Sequence, residues 1–218
     1  MNSPLIQLLV LAGIAIFLIL RLKSVLGTRE GFEKPKAPQQ PEKPARPDFE
    51  VIEGGPDRDI TDHVSEEGPQ AEALTAMKRV EPGFSVSEFV QGARGAYEMI
   101  LMGYEHGNIS DIQPFLAPDV YESFVDGIAA REDQGLKIEA EFIGVRETAI
   151  ADATFDTDSN RAEITMRFVG ELTSVVRNSA GEIVEGSPTS VKRQKDTWTF
   201  ARTMGSPDPN WLLVATDA

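Results

Sequence analysis

Asp156, Asp158 and Asn160 alternate in the stretch FDTDSN, much as oxygen ligands alternate in a calcium loop. The stretch lacks the turn glycine and the distal glutamate that such a loop needs, so it reads as a solvated turn. His63 and His106 are the only imidazoles of the chain. His106 closes a helical stretch, where a histidine favourably meets the terminal carbonyls. There is no cysteine, which excludes disulfides, thiol nucleophiles and cysteine-held metal. Neither a phosphate-cradling glycine loop nor a nucleophile elbow is present.

What is left for chemistry is an acid–base group tuned by burial in an apolar interior. The side chains predicted to face inward from the strands are Phe142, Ile164, Met166, Phe168, Trp198 and Phe200, and none of them titrates. Tyr97 and Tyr104 add two hydroxyls from a helix. These eight residues are the expected lining of an apolar pocket that holds a lipid chain or a hydrophobic peptide, or that is simply packed. The sequence thus predicts no catalytic residue, no metal and no cofactor.

The elements that position these residues follow from periodicity. In FSVSEFVQGARGAYEMILMGYEHGN, Ser85 and Glu88 form a capping box, and Phe84 and Phe89 occupy the two positions of a hydrophobic staple. Val86, Phe89, Val90, Ala93, Tyr97, Ile100, Leu101 and Tyr104 share one helical face, and Gly107 with Asn108 supplies the stop. A shorter helix precedes Pro82, with Ala73, Leu74, Met77 and Val80 at helical spacing. A further helix, in PDVYESFVDGIAAREDQG, carries Tyr121, Phe124, Val125 and Ile128. After Gly135 the period falls to two. Strands are predicted around Ile138–Phe142, in TAIADATFDT, in RAEITMRFVGELTSVVRN, in SVKRQKDTWTFART and in NWLLVATDA, with turns at NSAGE and GSPDPN. Helices followed by an antiparallel meander make an α+β domain, and Gly170 midway along a long strand offers a bend.

The first 72 residues read differently. From Pro4 to Leu20 no charged residue occurs, and the run is apolar all round. Its length, about 17 residues, suffices for one membrane-spanning helix. No basic residue precedes it, and Arg21, Lys23 and Arg29 follow it, which puts the N-terminus outside and the rest of the chain in the cytoplasm. Residues 1–26 are therefore expected to be a transmembrane anchor, and 27–72 a disordered tether. The tether holds Pro35, Pro38, Pro41, Pro44 and Pro47 at every third position, one edge of a polyproline II helix that serves as a spacer or a docking site. Seven basic and three acidic side chains lie between Arg21 and Pro47, and nine acidic and one basic between Asp48 and Glu72. The first block is drawn to anionic lipid and the second is repelled by it. The formal net charge of −14 argues against nucleic acid as a partner.

Four stretches, EPGFSVSEFVQGARGAYEMI, LAPDVYESFVDGIAARE, RAEITMRFVGEL and DTWTFARTMGSPDPNWLLVAT, resemble blocks of the Tim44-like family. The chain is similar to that family's bacterial, alphaproteobacterial-type members, which are relatives of the mitochondrial inner-membrane import-motor tether. The resemblance covers the N-terminal anchor and residues 73–218, not the linker. It implies an NTF2-like or cystatin-like fold, in which a strongly bent antiparallel sheet cups helices around an apolar pocket. It further implies a non-catalytic adaptor at the inner membrane whose partners are translocase or chaperone subunits and anionic lipid. This sequence has a span and a proline-rich tether where the mitochondrial relatives carry a longer charged region, so no binding residue is carried over. The alternatives are a lipid- or hydrophobic-ligand-binding module, an enzyme on an apolar substrate, and a ribosome receptor, which would need a basic face.

Overall fold

Four antiparallel strands in the order β1-β2-β3-β4 carry the fold: β1 Lys137–Asp156, β2 Arg161–Arg177, β3 Ile183–Thr203 and β4 Leu212–Asp217. The computed structural model describes residues 55–217. The transmembrane anchor expected in residues 1–26 and the proline repeat lie outside the described residues. Among the described residues no helix is long and apolar enough to cross a membrane.

Among the described residues five helices precede the sheet: α1 Arg58–Thr61, α2 Pro69–Val80, α3 Val86–His106, α4 Ile109–Ile112 and α5 Pro118–Asp133, with a 3₁₀ turn at Gln113–Phe115. The ends of α3 follow from its sequence. The Ser85 hydroxyl accepts from the Glu88 amide at 3.2 Å, and the Phe84 and Phe89 rings lie 6.5 Å apart. Gly107 closes the helix in the left-handed region at φ 74°, and its amide returns to the carbonyl of Tyr104. The buried stripe of α3 is Val86, Phe89, Ala93, Tyr97, Ile100 and Leu101. In α5 the fully buried apolar positions are Val120 and Ile128, and Tyr121, Phe124 and Val125 are half-buried.

That stripe packs on one face of the sheet. Ala162, Ile164, Met166 and Phe168 of β2 are all buried. Ile164 is paired with Phe200 of β3, Met166 with Trp198 and Phe168 with Asp196. Side chains opposite one another in a ladder share a face, so these three pairs build the floor on which α3 rests. Aromatic contacts close the layer. The Tyr97 ring stacks on Phe168 at 4.5 Å between centroids and 16° between planes, and meets Trp198 at 4.8 Å.

Two expectations are corrected. The two strands expected on either side of Gly144 are one, β1, which stays paired with β2 from Lys137 to Asp156. Register shifts at Phe142/Gly144, Val145/Glu147 and Ile150/Asp152 break the alternation that the sequence shows. Each bulge adds a residue and bends the strand without ending it. The disordered tether expected over 27–72, with the domain starting at residue 73, also fails in its last part. Helix α2 begins at Pro69, whose fixed φ suits a first turn. Helix α1 lies further upstream, and its Ile60 is buried in the same core as Leu74 and Met77. Asp59 anchors this segment: its carboxylate accepts from the amides of Val86 at 2.7 Å and Ser87 at 2.9 Å and meets Lys78 at 2.8 Å. The acidic run that reads as a solvated linker therefore contains the cap of another helix's N-terminus.

Candidate functional site

The predicted pocket residues are brought together, but mostly as core. Tyr97, Ile164, Met166, Phe168, Trp198 and Phe200 are buried, and Tyr104 and Phe142 are half-buried against them. Space remains on two sides of this aromatic layer.

The larger space, a groove of about 370 Å3, lies between the start of α3 and the end of the sheet. Phe84, Phe89, Phe115, Phe200 and Trp211 wall it. Trp211 stands 4.6 Å from Phe89 and 5.9 Å from Phe84, centroid to centroid. Its polar end is Arg202, whose guanidinium lies 5.5 Å from the Trp211 ring centre. Arg202 donates to the Glu81 carboxylate and to the Pro209 carbonyl. Its Nε has no partner among the described residues. The bond from Arg202, joined by the Gly205 amide, holds the Glu81 carboxyl below its ordinary pKa.

The second space, about 290 Å3, opens between α3, α5 and β3. Leu101, Tyr104, Phe124 and Trp198 give it apolar walls, and Glu105, Gln194, Asp196 and Asp217 add polar groups. Asp196 is only 5% exposed. Its Oδ2 accepts from the Tyr97 hydroxyl at 2.5 Å, and its Oδ1 accepts from the Gln194 amide at 3.1 Å. Burial, then the bond to Asp196, pushes the Tyr97 hydroxyl well above its ordinary pKa. Burial also raises the Glu105 carboxyl, against the pull of Arg131 4.0 Å away. Arg131 lies over the Tyr104 ring at 4.5 Å and donates to the Tyr104 carbonyl.

Asp196 is the residue that sequence reasoning missed, and it corrects the expectation that no inward strand position titrates. The signal was present: Asp196, Trp198 and Phe200 alternate, so all three point to one face. Gly170 also plays another part than the bend. A Cβ there would stand 2.6 Å from the Tyr97 hydroxyl oxygen, so its bareness lets Tyr97 lie against β2 and reach Asp196.

The other candidates lie elsewhere. Asp156, Asp158 and Asn160 form the β1–β2 turn. Asp156 accepts from the Asp158 amide at 2.9 Å and from the Ser159 hydroxyl at 2.6 Å, and Asn160 takes a positive φ of 55°. Among the described residues no cluster of histidine, aspartate and glutamate could hold a metal ion. His106 does not cap its own helix as expected. Its Nε2 donates to the Ala140 carbonyl of β1 at 2.9 Å, because the strand edge offers an acceptor beside the helix end. His63 is paired with the Ser87 hydroxyl at 3.0 Å.

A family model described as the Tim44-like domain matches residues 70–218. Among curated proteins, the human mitochondrial import inner membrane translocase subunit TIM44 is 25% identical over 147 residues, covering 66% of this chain and 32% of that protein. The chain therefore spans about a third of the length of that relative. Among solved structures, the intermembrane space region of the chloroplast protein ARC6 matches at 14% identity with a TM-score of 0.37, over 66% of this chain and 94% of that one.

Proposed function

We propose that this chain, which belongs to the Tim44-like family, is a membrane-anchored, non-catalytic adaptor that presents its folded domain to protein partners in translocation, insertion or envelope assembly. The observation that carries the reading is the extent of the family match, which takes in almost the whole folded domain from α2 to β4. The apolar run from Pro4 to Leu20 supplies an anchor, and the stretch up to Asp57 supplies reach. On this reading the domain is an NTF2-like cup on the cytoplasmic side of a bacterial inner membrane, and its partners are translocase or chaperone subunits. A second reading, a module for a lipid or another hydrophobic ligand, is favoured by the aromatic groove beside Trp211.

Photo-crosslinkers placed on exposed sheet positions such as Arg167 and Lys195 in intact membranes, followed by mass spectrometry, separate the two. Reproducible recovery of translocase or chaperone subunits supports the adaptor. Recovery of lipid alone supports the ligand module and overturns the adaptor. Removal of residues 1–26 should release the chain from membranes, and a truncated chain that stays bound refutes the anchor.

A further inference from the structure

Asp196 is a buried carboxylate whose two hydrogen bonds both come from neutral groups. An ionised carboxylate offers about four acceptor positions. Two are taken, by the Tyr97 hydroxyl and the Gln194 amide. Among the described residues no lysine, arginine or histidine nitrogen comes within 4.0 Å of it; Arg131 is spent on Glu105, on which Lys192 also acts, and on the Tyr104 ring. A carboxylate taken out of water without a counter-charge is costly. Tyr97 is pinned between the bare backbone of Gly170 and the Phe168 ring.

The carboxylate also lines a cavity rather than solid core. That cavity of about 290 Å3 is walled by Trp198, Phe124 and Tyr104 and carries two further carboxylates, Glu105 and Asp217. Aromatic faces attract cations, most strongly where water is excluded. We propose that this cavity binds a small organic cation, an alkylammonium whose charge meets Asp196 and whose carbon atoms lie on Trp198 and Phe124. The size suits only a few carbons beyond the head. An anion meets three carboxylates there. A neutral apolar molecule removes water from Asp196 and gives it nothing in return. The proposal is independent of the adaptor reading, because it needs no protein partner, and of the ligand-module reading, because the cavity shares no lining residue with the Trp211 groove.

The test titrates the full chain, in a non-ionic detergent at neutral pH, with n-butylammonium, n-butanol and butyrate by isothermal calorimetry. The expected order is butylammonium at least tenfold tighter than butanol, with butyrate weakest. Equal or tighter binding of butanol or butyrate overturns the proposal, and so does no binding of butylammonium. Asp196→Asn removes the charge and keeps one of the two acceptor oxygens, and should bring butylammonium down to the level of butanol; a preference that survives this change overturns the proposal. The ranking on the unmodified chain decides even where the variant does not fold. Trp211→Phe leaves Trp198 as the only tryptophan. Its emission should then change saturably with butylammonium, and calorimetric binding without that change places the cation elsewhere and refutes the site.

Discussion

The Tyr97 hydroxyl donates to the Asp196 carboxylate at 2.5 Å, joining helix α3 to the third strand through the middle of the aromatic layer. Ninety-nine positions separate the two residues in the chain, and both are buried. A polar link at this depth fixes how α3 sits on the sheet, because apolar contacts alone tolerate sliding. Tyr97→Phe keeps the ring and strips one of the two donors from Asp196. Leaving a buried carboxylate short of a partner costs about 1–3 kcal/mol. Urea unfolding of the variant should show a lowered midpoint with an unchanged slope. An unchanged midpoint contradicts the energetic role given to the pair.

Gly170 should be coupled to that bond. Alanine there brings its Cβ to 2.6 Å from the Tyr97 hydroxyl oxygen and to 3.0 and 3.2 Å from ring carbons. Gly170→Ala must push the tyrosine off β2, an overpacking that costs about 1–3 kcal/mol. With Tyr97→Phe already present, the worst of these contacts is gone. The two changes should therefore cost less together than the sum of their separate effects, by about 1 kcal/mol. Strict additivity in a double-mutant cycle contradicts the steric account.

How much of this was legible depends on the distance over which each signal acts. The cap, staple and stripe of α3 are local and were readable from Ser85, Glu88, Phe84 and Phe89 alone. The inward set of β2 was readable because Ala162, Ile164, Met166 and Phe168 alternate cleanly. Strand β1 was split in two because its bulges near Gly144 and Glu147 scramble that alternation. Asp196 obeys the same period as Trp198, but a charged residue is seldom buried without a cation, so the period alone does not place it in the core. The roles of Gly170 and Asp59 are set by partners far along the chain, Tyr97 and Lys78, so no window of sequence could display them.

The Arg202–Glu81 bond closes one end of the Trp211 groove. Arg202 is almost wholly buried, and Glu81 is its carboxylate partner, which also accepts a hydrogen bond from the Gly205 amide at 3.0 Å. Glu81→Gln leaves the guanidinium without its counter-charge. Breaking a fully buried pair costs about 3–5 kcal/mol. Glu81 is 30% exposed, so screening by water brings the expected loss to about 1–3 kcal/mol. Thermal unfolding of the variant checks this, and a loss below the resolution of the method contradicts it. Arg202→Lys should recover little, since a single ammonium cannot reproduce the planar fork shared between Glu81 and the Pro209 carbonyl.

Asp59 should give the fold an acid-sensitive strap. Burial acts to raise its pKa but is outweighed by bonds from Lys78, Ser87 and Val86, which hold the carboxyl far below its ordinary value. A depressed acid contributes stability that is fully present above the unfolded pKa, about 3.9, and is lost as pH falls through the folded one. Burial acts to lower the pKa of Lys78 but is outweighed by its bonds to Asp57 and Asp59, which raise it, so its contribution is present below its unfolded value and lost only at strongly alkaline pH. Unfolding free energy should therefore be flat in this respect from about pH 5 to 8 and fall progressively below about pH 4. Asp59→Ala removes the cap from the α3 amides, costs about 1–2 kcal/mol at neutral pH, and makes the acid limb shallower. Hydrogen exchange at Val86 and Ser87 should quicken in the variant. An acid limb as steep as that of the native chain, with unchanged exchange at those two amides, means that α1 only rests on the domain and does not hold it.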